Sequence, residues 1–204
     1  MTSLRLDPLP AADAKALAAA VRSVVDRQVE TVAAPSVGPR SLPGRLPPST
    51  RLCQGAEQFA AQSAEDVAAA RYFGALLEVS YLVASADGLD AQERAGLAEL
   101  IAQTTGRAVD PPALDLLFDR FERDLASEGR EARIRSVATQ FDDFMAREEA
   151  LSFAALIAVA DRTLASQEAE ALLLLGGELG FSAGEVQAAL DHVAQQLARA
   201  LRAG

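Results

Sequence analysis

The strongest constraint on this chain is an internal repeat. Leu82-Val83-Ala84-Ser85-Ala86-Asp87 aligns with Leu156-Ile157-Ala158-Val159-Ala160-Asp161, 74 residues further along a chain of 204. Beyond each block, Leu89-Asp90-Ala91-Gln92-Glu93 aligns with Leu164-Ala165-Ser166-Gln167-Glu168, and Leu97 and Leu100 match Leu172 and Leu175. Each unit reads as an apolar helix ending in Asp, a short turn, and a second helix opening with Gln-Glu. Such a unit cannot bury its apolar faces alone, so two of them predict a pseudo-twofold helical bundle built from two helical hairpins.

The remaining periodicity is helical too. Leu17, Val21, Val24, Val25, Val29 and Val32 recur at three- and four-residue steps, predicting an amphipathic helix from about Ala11 to Ala33. Ala34-Pro35 ends it, because a residue before proline is pushed out of the helical region. Pro35, Pro39, Pro43, Pro47 and Pro48, with Gly38 and Gly44, then form a semi-extended linker. Ser63-Ala64-Glu65-Asp66 resembles a capping box for a helix to about Ala86, with Val67, Ala70, Phe73, Leu77, Tyr81 and Leu82 inward. Asp90 to Glu93 is a second capped start, for a helix ending near Gly106, and Pro111-Pro112 open a third with a stripe of Leu114, Leu117, Phe118 and Phe121. Ile134, Val137, Ala138, Phe141 and Met145 make one further stripe. Glu148 and Glu149 are expected in the first turn of a helix running to Asp161, where the dipole favours anions. A helix from about Ser166 stops at Gly180, and Ser182 with Glu185 caps the last one. The GxxxG spacing of Gly176 and Gly180 reads as close packing of a soluble helix. No segment alternates as a strand would, and a core of Ala, Leu and Val with 5% aromatics and no Trp suits helices. The expected fold is all-α: an N-terminal helical arm over 1–34, a Pro-rich linker over 35–52 and a helical domain over 53–204. The arm helix has three options: docking on the body, pairing with a second copy, or engaging a partner helix.

Composition removes several functional classes. Cys53 is the only cysteine and His192 the only histidine, which excludes an internal disulfide, a Cys-rich zinc site, His-ligated catalytic zinc and a two-His di-iron centre. His192 reads as a surface or packing residue and Cys53 as a small residue at the linker edge. There is no P-loop or GxGxxG. The formal net charge is −10, with residues 1–55 at +3 and the remainder at −13. An acidic body repels phosphate backbones, so nucleic acid is a poor partner, whereas cations and basic protein surfaces are attracted. Met1 to Pro10 lacks the apolar stretch of a signal peptide, and the longest apolar run, Ala150 to Ala160, is about half what a membrane helix needs. A cytoplasmic protein without direct membrane insertion is expected.

The repeat resembles the TerB-like (tellurite-resistance) helical family, whose members show an Ala-Asp-Gly turn, a hydrophobic residue, a small capping residue and a Glu in each half. Ala86-Asp87-Gly88 with Leu89, Asp90 and Glu93 matches the first copy, and Ala160-Asp161 with Leu164 and Glu168 the second. The likeness covers roughly Ser63 to Arg199. Two departures stand out: Arg162 occupies the expected Gly position, and the first copy is one residue shorter between Asp and Glu. The resemblance implies a bacterial, all-helical, acidic and non-enzymatic module of the stress-response type, with metal binding and protein–protein interaction, partners in membrane-associated or co-chaperone complexes among them.

The acidic turns admit two readings. Asp87 and Asp161 end helices, where an anion is unfavourable unless compensated. A divalent cation, Ca²⁺ or Mg²⁺, would compensate, held by Asp87, Asp90 and Glu93 or by Asp161, Glu168 and Glu170. Alternatively the carboxylate accepts free N–H groups of the next helix while Glu93 closes a capping box with Asp90. The expected function is an acidic interaction or accessory module, with homo-oligomerisation through the N-terminal helix as an option. The alternatives are a structural subunit or adaptor without metal, and a carboxylate-based metal-dependent enzyme, for which no nucleophile–base constellation is visible.

Overall fold

The computed structural model describes residues 4–30, 67–105, 107–160 and 162–203. The Pro-rich linker, Cys53, the Ser63–Asp66 capping box and Asp161 lie outside them. Among the described residues the chain forms eight α-helices and no strand. They are α1 (Ala14–Glu30), α2 (Val67–Ala84), α3 (Ala91–Thr104), α4 (Pro111–Glu128), α5 (Arg130–Ala138), α6 (Phe144–Val159), α7 (Ser166–Glu178) and α8 (Ala183–Ala203). No described helix is long and apolar enough to cross a membrane.

The centre is the α2–α6 pair, the most extensive contact between helices. Residues 75–83 of α2 and 148–160 of α6 and its end are buried continuously, as befits helices apolar on every face. Around them, α2 packs on α4, α5 and α7, and α6 on α7 and α8. Ser80 relieves its burial by donating to the Leu76 carbonyl at 2.8 Å.

The N-terminal helix takes the first of its three options. Asp13 caps it by accepting the Ala16 N–H at 2.7 Å, so the helix starts at Ala14 rather than Ala11. Ala18, Ala20, Val21 and Val24 then enter the core as α1 lies across α8 and α3. Ahead of it, Leu4 is buried, and Arg5 exchanges two hydrogen bonds with the Gln187 side chain on α8, at 2.9 and 2.8 Å.

The expected single stripe through Ile134 and Met145 is two helices. α5 ends at Ala138; Asp143 starts α6 by accepting the Ala146 N–H at 2.7 Å, and Arg147 Nε closes the intervening loop on the Phe141 carbonyl at 3.0 Å. Phe141 is therefore core from a loop and Met145 is exposed. Glu148 and Glu149 shift accordingly to the second turn of α6, where both are buried rather than at the dipole's positive end.

The two glycines of the GxxxG spacing do different jobs. Gly176 lies in α7 where a Cβ would stand 2.2 Å from Val186 Cγ2 of α8, so it is the close contact. Gly180 takes φ +87° and stops α7 in a Schellman turn, with the Phe181 N–H on the Gly176 carbonyl at 2.8 Å and the Gly180 N–H on the Gly177 carbonyl at 3.0 Å.

Candidate functional site

The two repeated turns have nearly the same local geometry. After α2, the Gly88 N–H reaches the Ser85 carbonyl at 3.1 Å and Gly88 takes φ +102°; after α6, the Arg162 N–H reaches the Val159 carbonyl at 2.9 Å and Arg162 takes φ +71°. Arg162 thus adopts the left-handed conformation that glycine supplies in the first turn, at the cost an L side chain carries there. Each following helix is capped by its Glu: Glu93 Oε2 accepts the Asp90 N–H at 2.8 Å, and Glu168 Oε2 the Ala165 N–H at 2.9 Å. Asp90 completes the first box by accepting the Gln92 and Glu93 N–H groups at 2.7 and 2.8 Å, whereas Ala165 has no acceptor.

Those bonds decide what Asp87 does not do. The N–H groups at the start of α3 go to Asp90, so Asp87 does not turn to cap that helix. Asp87 is exposed and makes no hydrogen bond or ion pair with the described residues. The compensation at the end of α2 comes instead from a residue whose importance the sequence did not disclose. Arg130, at the start of α5, donates to the Leu82 carbonyl, to Ser85 Oγ at 3.1 Å and to the Ser85 carbonyl at 2.8 Å. Burial lowers the Arg130 pKa, while the nearby Tyr81 and Asp87 oppose that shift. A guanidinium thus sits where the α2 dipole is negative.

Both turns open on one pocket of about 420 Å³, bounded by α1, α3, the ends of α2 and α6, and the start of α7. Leu17, Leu89, Leu97, Leu100 and Ile157 give it an apolar interior; Asp87, Glu93, Glu99, Glu168 and Lys15 bring charge to it. Of the residues singled out as metal ligands, Asp87, Glu93 and Glu168 line this pocket. Asp90 is held as a cap outside it, Glu170 is exposed and not part of it, and Asp161 lies outside the described residues. Glu99 is engaged by Arg107 at 2.5 Å and by Gln103 Nε2 at 2.6 Å. Among the described residues no group of three or more His, Cys, Asp and Glu side chains is placed to hold a metal ion.

The pocket also exposes a glycine that the sequence pattern passed over. Gly96 lies in the middle of α3, lines the pocket and is exposed; a Cβ there would meet nothing within 4 Å. Internal packing therefore does not require it, although glycine inside a helix costs about 1 kcal/mol relative to alanine.

A second set of carboxylates is buried away from the pocket. Glu78 on α2 pairs with Arg133 Nε of α5 at 2.5 Å, and this hydrogen bond raises the Arg133 pKa against the opposing effect of burial. Glu149 on α6 accepts from the Tyr72 hydroxyl of α2, beside Phe141, whose ring meets Tyr72 edge-on at 5.8 Å. These groups join helices. His192, half-buried on α8, has its pKa lowered by burial and then by Arg199.

Scans against protein-family models, curated proteins and solved structures return no match.

Proposed function

We propose that this chain is a non-enzymatic, acidic interaction module of the two-hairpin TerB-like type, which engages a protein partner at the pocket between its two turns. The observation that carries the reading is Asp87: an exposed carboxylate at a helix C-terminus, bonded to none of the described residues, beside an apolar pocket in a chain of net charge −10. Beyond the electrostatic influence of Arg130, that charge is open to a partner that binds at the pocket. Carboxylate catalysis is less well supported, because Asp90, Glu93 and Glu168 each spend an oxygen on a helix N-terminus. The family resemblance extends the proposal to accessory work in cytoplasmic stress- or tellurite-resistance complexes.

The test is photo-cross-linking in the native host from position Ala91, exposed at the start of α3. A protein adduct whose cross-linked peptide is basic, and which is lost in Asp87→Asn, is the expected result. Adducts indifferent to Asp87→Asn, or none, overturn the reading. Calorimetric titration of chelator-treated protein with Ca²⁺ and Mg²⁺ separates the other outcome: saturable heat abolished by Asp87→Asn would make the turn a cation site instead.

A further inference from the structure

We propose that the pocket receives an amphipathic helix from a protein partner, with a bulky apolar side chain inserted between α1 and α3 and a Lys or Arg about one turn away facing Asp87. This rests on the interaction reading above and names the chemistry of the partner. A volume of about 420 Å³ is at the lower end of ligand pockets and suits one or two large side chains. The interior is aliphatic, from Leu17 on α1, Leu97 and Leu100 on α3, and Ile157 on α6, so the inserted group is apolar. At the mouth, the exposed carboxylates of Asp87 and Glu93 outnumber the single exposed ammonium of Lys15, so the flank of the partner is basic. The body of a second copy, at −13 beyond residue 55, would bring like charge against the same rim and is the wrong sign.

Gly96 supplies an independent argument for a helix. It is exposed on α3 at the pocket, and the space where its Cβ would stand is open to at least 4 Å. A mid-helix glycine that the fold does not need leaves bare backbone where another backbone can approach closely. Gly88 and Ala84 add further small residues beside it. A helix laid along such a groove presents anchors at i, i+3 or i+4, and i+7.

The experiment selects helical peptides of 18 residues, with randomised surface positions, on the immobilised full chain and measures the enriched sequences by calorimetry. The expected outcome is enrichment of apolar residues at helical spacing with Lys or Arg within one turn. Gly96→Phe, which fills the mouth, should weaken these peptides by about tenfold or more, and Asp87→Asn by roughly threefold, the latter effect shrinking at high salt. Gly96→Ala should weaken binding while raising the Tm by roughly 2–4 °C, which keeps the test decisive if the phenylalanine variant misfolds. No enrichment, enrichment without basic residues, or binding unchanged in both Gly96 variants would overturn the inference. An Asp87-dependent cross-link that persists alongside such a failure removes only the helix; loss of the cross-link as well removes the interaction reading.

Discussion

The α2–α3 and α6–α7 units share a turn but not an environment. Each has a helix end, a residue at positive φ, and a Glu reaching back to cap the next helix. Yet the main contacts of α3 are with α1 and α4, while α7 lies on α6 as well as on α2, α5 and α8. The position directly after the capping Glu shows the difference. Arg94, directly after Glu93, reaches α4, where it meets Asp119 at 2.5 Å, Asp115 and Glu122 at 3.4 Å, and stands 5.7 Å from the centre of the Phe118 ring. Its counterpart after Glu168 is Ala169, small and buried, which allows α7 to seat against its neighbours. The lesson is that a repeated turn sets how a helix starts, while the side chains beyond the turn, Arg94 in one unit and Ala169 in the other, meet different neighbours. The pocket lies where α3 faces α1 instead of closing on α2.

The largest expected effect concerns how each unit holds its buried carboxylate. Glu78 is paired with an arginine and Glu149 with a tyrosine hydroxyl. Arg133→Met leaves a buried charge without its counter-ion and should cost about 3 kcal/mol or more in urea unfolding. Tyr72→Phe removes one hydrogen bond and should cost about 1–2 kcal/mol. The reverse order would mean that the second unit depends more heavily on its buried acid. Next in size is Arg130→Gln, which strips the guanidinium from the end of α2 and should cost about 1–2 kcal/mol. Adding Asp87→Asn should recover part of that loss, since the aspartate then lacks its nearby cation; strict additivity in the double-mutant cycle would break the pairing.

The caps give a smaller and more symmetrical test. Asp90→Ala should destabilise by about 1 kcal/mol, whereas Ala165→Ser, which supplies the second turn with the acceptor it lacks, should stabilise by about 0.5–1 kcal/mol. Equal and opposite changes would show that the two turns are energetically interchangeable. The smallest effect is in pH. The folded His192 pKa is below its ordinary value, so the unfolded chain binds the extra proton first. Its contribution is intact above about pH 6.5 and is lost as the pH falls through that value toward the folded pKa. Because His192 is on α8, which packs on α6 and α7, amide protection factors, corrected for the slower intrinsic exchange at lower pH, should fall between pH 7 and 5.5 in α7 more than in α3, and His192→Gln should remove the difference.

Much of the fold was legible because it is written locally. Asp90 with Glu93 and Ser182 with Glu185 place helix starts where capping chemistry puts them, and the latter pair exchanges bonds at 2.7 to 3.3 Å. Pro111 and Pro112 open α4 behind the Asp110 cap. The break between α5 and α6 was placed a few residues too late because Phe141 and Met145 continue the apolar spacing, while the Asp143 cap that starts α6 is a single short side chain. The site was half legible. The repeat pointed to Asp87, Glu93 and Glu168, which do line one pocket. Lys15, Leu17 and Ile157 could not be joined to them from spacing, since they come from α1 and α6 and meet only when the bundle closes. The lone glycine inside α3 was the one overlooked signal.

The helical class, the two Glu-capped turns, the apolar central helices and the strong negative charge could all be read along the chain, because helix periodicity, capping and charge act over a few residues. That Arg130 caps α2, that α1 walls a pocket, and that Asp87 makes no bond among the described residues at its mouth emerge only once the bundle is assembled. Those outcomes depend on groups tens of residues apart competing for the same carbonyls, N–H groups and space, and that competition is settled only by packing.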